Sequence, residues 1–184
     1  QVVVIAIDDQ SIANIGRWPW PRDIHARLID QLSAAKVKTI VHTAFFFEPQ
    51  LDRGLPFIRQ IRDVLGSGVE PPADPASVAV LPNEQRAQLA KIVAQAEVAL
   101  DTDALLAASI KNAGNVLIPS VFVLGVPQGR PDSPLPAYAA KSSLDASSGY
   151  SVPAIKGQQP IEAIGAAAAG IGHLNQFADV DGTV

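Results

Sequence analysis

Asp8-Asp9-Gln10-Ser11-Ile12-Ala13-Asn14-Ile15-Gly16-Arg17-Trp18-Pro19-Trp20-Pro21-Arg22 is the least generic stretch of the chain, and it holds both tryptophans. Before it, Val2 to Ile7 is a near-continuous β-branched run, the pattern of a strand buried on both faces. After it, Ile24, Leu28, Ile29, Leu32 and Ala35 recur at helical spacing, which predicts an amphipathic helix over Arg22 to Ala35. Val37 to Phe47 is again apolar and β-branched, a second strand. Strand, helix and strand in that order imply a right-handed parallel crossover. Inside the corner, Asp9 or Ser11 is placed to cap a short helical turn to Ile15, which Gly16 stops. Pro21 sits at or just before the first position of the long helix.

Further along, Leu55, Ile58, Ile61 and Leu65 have helical spacing, and Gly66 to Pro82 reads as a loop. Asn83 is expected to cap a helix containing Arg86 to Leu100. Asp101 or Thr102 caps another, Asp103 to Ala113, stopped by Gly114. Val116 to Val126 is a third strand, in which Pro119 argues for a bulge or an edge position. Pro127 to Pro160, studded with proline and serine, is a long surface excursion with room for a short strand. Ile161 to Gly170 is a short alanine-rich helix able to pack close against the sheet. Gly172 to Asn175 and Thr183 onward read as two strands of a hairpin turned at Asp181-Gly182. The expected fold is α/β: a three-layer α/β/α sandwich with a mixed, mostly parallel central sheet and a C-terminal antiparallel hairpin. One domain fills residues 1–184, with loop excursions at about 66–82 and 127–160.

Composition narrows the function. Hydrophobic residues make up 48% and charged residues 17%, so the chain is globular rather than disordered. A formal charge of -4 without a run of Lys and Arg argues against a nucleic-acid surface. With no cysteine there is no disulfide, thiolate metal site or Cys nucleophile. No apolar run reaches the roughly eighteen residues that span a bilayer. The chain opens at Gln1 directly into a strand, has no methionine, and stops inside the expected hairpin. We therefore expect a piece of a longer protein, with targeting and membrane segments outside it.

Several side chains are candidates for a site. Trp18 and Trp20, each held extended by the following proline, form a wall that either lines a pocket or clasps the loop onto the sheet. Arg22 at a helix start is placed to meet an anion or to serve the fold. Asp8 and Asp9 fall at the carboxyl end of a strand, where ligands of open α/β sheets gather, but neighbouring residues on an extended backbone point apart. One is expected to cap and the other to face solvent. His25 lies one turn in from Arg22, whereas His42 reads as a satisfied core residue. Neither a metal-binding His-x-x-x-His nor a Glu-x-x-His spacing occurs, so no metal is expected. Gly165 and Gly170 have P-loop spacing, yet Ile171 stands where the lysine must be. Asp179-x-Asp181-Gly182 has Phe177 at the first position of a calcium loop and reads as a turn. No Gly-x-Ser-x-Gly elbow is present.

Taken together, the opening strand with Asp8, then Ser11, Ile15-Gly16, Trp18-Pro19-Trp20-Pro21-Arg22 and Phe47-Glu48-Pro49, resemble the second type of CHASE domain, an extracytoplasmic sensory module. The end of the chain, Gly172-His173-x-Asn175 followed by Asp179-x-Asp181-Gly182, is similar to that family's closing signature. The motifs are dense over roughly residues 1–50 and 170–184. Thr43 stands where the family usually has an aspartate. The resemblance implies membrane helices outside the chain and a cytoplasmic output: a nucleotide cyclase, a histidine kinase or a serine/threonine kinase. The main expectation is a periplasmic or extracellular ligand-sensing domain without enzyme activity or cofactor. Its candidate ligand-binding residues are Asp8, Trp18, Trp20, Arg22, His25, Glu48, His173 and Asn175, and its partners are an unknown small molecule and a second receptor copy. One alternative is a structural or dimerisation module. Another is a metal-dependent hydrolase using Asp8, Asp9 and Glu48.

Overall fold

The computed structural model describes residues 2–66, 82–126, 134–144 and 152–176. Helix α1 (Asp9–Ile15) opens on a reciprocal cap: Ser11 N–H donates to Asp8 Oδ1 at 2.8 Å, and Asp8 N–H donates to Ser11 Oγ at 2.9 Å. Gly16, at φ 125, ends it. After the tryptophan corner come α2 (Arg22–Ala34), β1 (Ile40–Val41), α3 (Leu55–Gly66), α4 (Asn83–Leu100) and α5 (Thr102–Ala113). Asp101 caps α5 by accepting from Ala104 N–H, and Gly114 closes it in the left-handed region. The chain continues through β2 (Val116–Leu124), α6 (Ala137–Ala140), β3 (Ala154–Gln158), α7 (Glu162–Ala167) and β4 (Gly170–His173).

Among the described residues β2 is the axis of a mixed sheet of four strands. β1 and β4 run parallel to it, and β3 runs antiparallel along its second half. Ala169 and Leu174 donate to the carbonyls of Val116 and Ser120, so the even positions of β2 bond toward β4. His42 donates to Leu117 O, so the odd positions bond toward β1 and β3. Pro119 therefore turns its missing donor to the side where β1 has ended at Leu117 and β3 has not begun at Val121. The proline occupies the one stretch of that side where no ladder bond is needed, which answers the expectation of an edge position.

The core sits between the sheet and α2, α5 and α7. Ile29, Leu106, Ile110, Val116, Ile118 and Ile164 are buried together. Each contributes roughly 1.5–3 kcal/mol by leaving water. On the opposite face Val41 and Leu117 stay exposed. The described residues thus bear out a mixed, mostly parallel α/β sheet with one helical layer over its core face; the second helical layer of a sandwich is not among them. α3 and α4 pack as a hairpin laced by Arg59 and Arg62 to Glu97, and by Arg59 to Asp101.

Several expectations are corrected. Val2 to Ile7 is not a buried strand: it pairs with no strand among the described residues, and Val2, Val3 and Val4 are exposed. A β-branched run specifies an extended backbone, whereas a strand also needs a neighbour for its N–H and C=O groups. The observed parallel pairings are β1 with β2 and β2 with β4, not a crossover from Val2–Ile7. Of Val37 to Phe47, only Ile40–Val41 forms strand, and β2 ends at Leu124. Pro82, not Asn83, is the cap residue of α4, and no side chain caps it. α6, four residues long, was too short to show a helical period in the sequence. β4 pairs in parallel with β2; the Asp181-Gly182 turn and the strand after Thr183 lie outside the described residues. So do most of the two loop excursions, at 67–81, 127–133 and 145–151.

Candidate functional site

The tryptophan corner folds over the start of α2 and the segment after β1. Trp18, Pro19, Trp20, Arg22, His25, Ala44, Phe45, Phe46, Glu48, Pro49 and Gln50 line a cavity of about 410 Å³. The Trp18–Pro19 bond is cis. The two indoles meet edge to face with centroids 5.5 Å apart, and Trp18 meets His25 in the same way at 5.8 Å. Trp20 Nε1–H donates to Gly16 O at 2.7 Å, which fixes its ring to the end of α1. Both readings of the tryptophans are thus present in one geometry: they wall the cavity and they clasp the corner.

Arg22 is buried, and its backbone N–H and terminal guanidinium nitrogens are spent on the fold, while its Nε has no partner among the described residues. Its backbone N–H donates to Gln50 Oε1 at 2.8 Å, and its guanidinium donates to Glu48 O and pairs with Asp103 at 2.8 Å. The guanidinium also lies over the Phe46 ring, 5.4 Å from its centroid. Asp103 Oδ2 accepts from Gln50 N–H at 3.0 Å, and Thr102 Oγ donates to Gln50 Oε1 at 3.0 Å. One arginine thereby ties together the starts of α2 and α5 and the segment following β1.

Behind the tryptophans lies a histidine pair. His42 Nε2 and His25 Nδ1 are 3.2 Å apart, and Ala44 N–H donates to His42 Nδ1 at 3.1 Å. The second bond settles the first. Since His42 Nδ1 accepts, its proton sits on Nε2 and is donated to His25 Nδ1, which leaves the His25 proton on Nε2. Burial, followed by the neighbouring His25, pushes the His42 pKa down to about 4. Burial, then the charge of Arg22, lowers that of His25, partly offset by Asp23. Both rings are neutral at neutral pH.

The expected site residues divide three ways. Trp18, Trp20, Arg22, His25 and Glu48 converge on the cavity. Asp8 does not line it: its carboxylate serves the α1 cap, and the N–H of Ser11 holds it below the usual carboxylate range. His173 lines a separate cavity of about 410 Å³ with Ser120, Phe122, Gln159 and Ile171. Asn175 braces β2, accepting from Phe122 N–H at 2.9 Å and donating to Phe122 O at 2.7 Å. Among the described residues, no three His, Asp or Glu groups are arranged to hold a metal ion. Sequence reading took His42 as a satisfied residue, which its bonds to Ala44 and His25 bear out, but it did not single out Phe45, Gln50 or Asp103. A histidine inside an apolar strand and a lone arginine at a buried helix start each called for a partner, and that signal was available.

Comparison with known proteins gives a family and no individual relative. A family model described as the CHASE2 domain matches residues 1–184, the whole chain. CHASE2 is an extracellular sensory domain family that works in signal transduction. No curated protein and no solved structure matches. No helix among the described residues is long and apolar enough to cross a membrane.

Proposed function

The chain belongs to the CHASE2 domain family, and we propose that it is the ligand-sensing input domain of a bacterial transmembrane receptor, on the periplasmic or extracellular face of the membrane. In this reading it is not an enzyme. Its output is a nucleotide cyclase, a histidine kinase or a serine/threonine kinase, reached through membrane segments outside this chain, and the receptor works as a homodimer. The observation that carries the reading is the aromatic cavity between Trp18 and Gln50. Its size falls in the range of small-molecule sites, roughly 300–1,000 Å³.

The cavity wall also reaches elements beyond it. Phe46 O accepts from Ile161 N–H at 2.8 Å at the start of α7, and Gln50 bonds Asp103 near the start of α5. A ligand that binds one arrangement of this segment more tightly would shift how those helices sit on the sheet. The test is a thermal-shift screen of the chain against a metabolite library, with Trp18→Ala in parallel. The expected result is a compound that raises the midpoint of the wild type and not of the variant. A screen in which every stabilising compound acts equally on both proteins removes the cavity as the sensing site.

A structural or dimerisation module is the second reading. It is favoured by the exposed Phe57 and Ile61, one turn apart on α3. Sedimentation velocity on wild type and Phe57→Asp separates the two: a concentration-dependent dimer lost in the variant supports the module, and a monomer in both counts against it.

A further inference from the structure

We infer that the aromatic cavity takes a small organic cation of about the size of choline. Its charged head lies against Trp18, Trp20 and Phe45 beside the Glu48 carboxylate, and a hydrogen-bond acceptor on the same molecule meets His25 Nε2–H. This inference rests on the ligand-sensing reading of the cavity.

Charge is the first argument. Among the described residues Arg22 is the only Lys or Arg lining the cavity, and its charge is cancelled by Asp103 at 2.8 Å. The Glu48 side chain is exposed and makes no ion pair among the described residues. With Arg22 and Asp103 balanced, Glu48 leaves the site one net negative charge. Asp23, near enough to His25 to act on it, adds to the same sign. The start of α2 would otherwise suit an anion, but Arg22 N–H is committed to Gln50 Oε1 and Ile24 N–H to Pro21 O.

The walls give the second argument. Trp18 and the exposed Phe45 offer ring surface at the cavity, and a tryptophan face is the best aromatic partner for a cation. The ionisable groups lining this space are Arg22, His25 and Glu48, with His42 and Asp23 acting on His25 and Asp103 paired with Arg22 behind them. Of these, the two histidines would oppose a cation if protonated, and they are held neutral.

The third argument is the proton chain. Ala44 N–H to His42, and His42 to His25, fixes the tautomer of His25. Its Nε2–H has no partner among the described residues, so His25 offers a donor whose tautomer is fixed. A bare ammonium leaves that donor unmet, whereas a cation bearing a hydroxyl or carbonyl two or three bonds away satisfies it.

Both tryptophans of the chain stand in this cavity, so intrinsic fluorescence reports on it without a label. The 184-residue chain is titrated with choline, with its uncharged isostere in which carbon replaces nitrogen, and with inorganic phosphate. The expected result is a saturable change with choline, about tenfold weaker binding of the isostere, and a loss of about fivefold or more for choline in Glu48→Gln. Glu48→Gln keeps the backbone carbonyl that Arg22 uses, and an unchanged unfolding midpoint verifies its fold. Equal binding of choline and the isostere, or saturation by phosphate instead, overturns the cation while the ligand-sensing reading stands. Silence with all three probes also overturns it, and the sensing reading then depends on the metabolite screen alone.

Discussion

His42 donates its Nε2 proton to His25 Nδ1 across 3.2 Å, because Ala44 N–H already occupies the other nitrogen of His42. This chain has no room for a further proton. A proton on His42 Nδ1 would face the Ala44 N–H, and one on His25 Nδ1 would face the His42 N–H. Acid must therefore break the pair before it can charge it.

A pH dependence of stability follows, with a definite sign. In the unfolded chain both histidines titrate near 6.5, whereas folded His42 does so at about 4 and folded His25 below its ordinary value. Between those limits the unfolded state binds more protons, so unfolding free energy falls as pH drops from 6.5 toward 4. The full loss attributable to His42 is roughly 3 kcal/mol. Urea denaturation at several pH values checks this, and His42→Gln should flatten the slope across the window. An unaltered slope in that variant would place the acid sensitivity elsewhere.

The Arg22–Asp103 pair predicts an asymmetric mutant set. Both side chains are largely buried, so removing one leaves a charge without its counterpart. Arg22→Ala and Asp103→Ala are each expected to cost about 3 kcal/mol or more in denaturant melts. Arg22→Lys should recover little, since one ammonium cannot reach Asp103, the Glu48 carbonyl and the face of Phe46 together. The double variant Arg22→Leu/Asp103→Leu should be less damaged than the sum of the single changes.

What the sequence disclosed, and what it hid, has a physical pattern. α2 was readable from its apolar stripe every three to four residues and α5 from the Asp101 cap and the Gly114 stop, all of them local signals. The same local signal overstated Val2 to Ile7, since β-branching reports a backbone preference and says nothing about whether a neighbour exists. Trp18, Trp20, Arg22 and His25 could be proposed because they crowd a short piece of chain, and Glu48 because it stands in the Phe47-Glu48-Pro49 motif. Asp103 could not, because its tie to Arg22 depends on how α2 packs against α5. His173 and Asn175 share a motif, yet β4 ends at His173, and Asn175 beyond it serves another task, one residue lining a cavity and the other bracing β2.

Asn175 stands in for a missing strand residue. Its amide exchanges two bonds with Phe122, the pattern a neighbouring backbone would supply. Asn175→Ala leaves the N–H and C=O of Phe122 unmatched, with an expected cost of about 2 kcal/mol. Asn175→Asp keeps an acceptor for Phe122 N–H but turns a second acceptor toward Phe122 O, so it should not restore stability. Amide hydrogen exchange at Phe122 is the site-specific readout. Protection there that survives Asn175→Ala would show that the side chain is dispensable to the strand.

Gly165 gives a prediction whose sign runs against helix propensity. In an ordinary helix interior, Gly to Ala stabilises by about 0.5–1 kcal/mol. Here a Cβ on Gly165 would lie 2.6 Å from Tyr138 Cδ2 and 2.9 Å from Cζ. The Tyr138 ring cannot simply swing away, because its hydroxyl donates to Pro160 O. Gly165→Ala should therefore destabilise by about 1–3 kcal/mol through overpacking. In a Tyr138→Ala background the ring is gone, and the same change should become neutral or favourable. A double-mutant cycle in urea measures the coupling directly. Additive single and double variants would mean that the glycine is not held in place by the tyrosine.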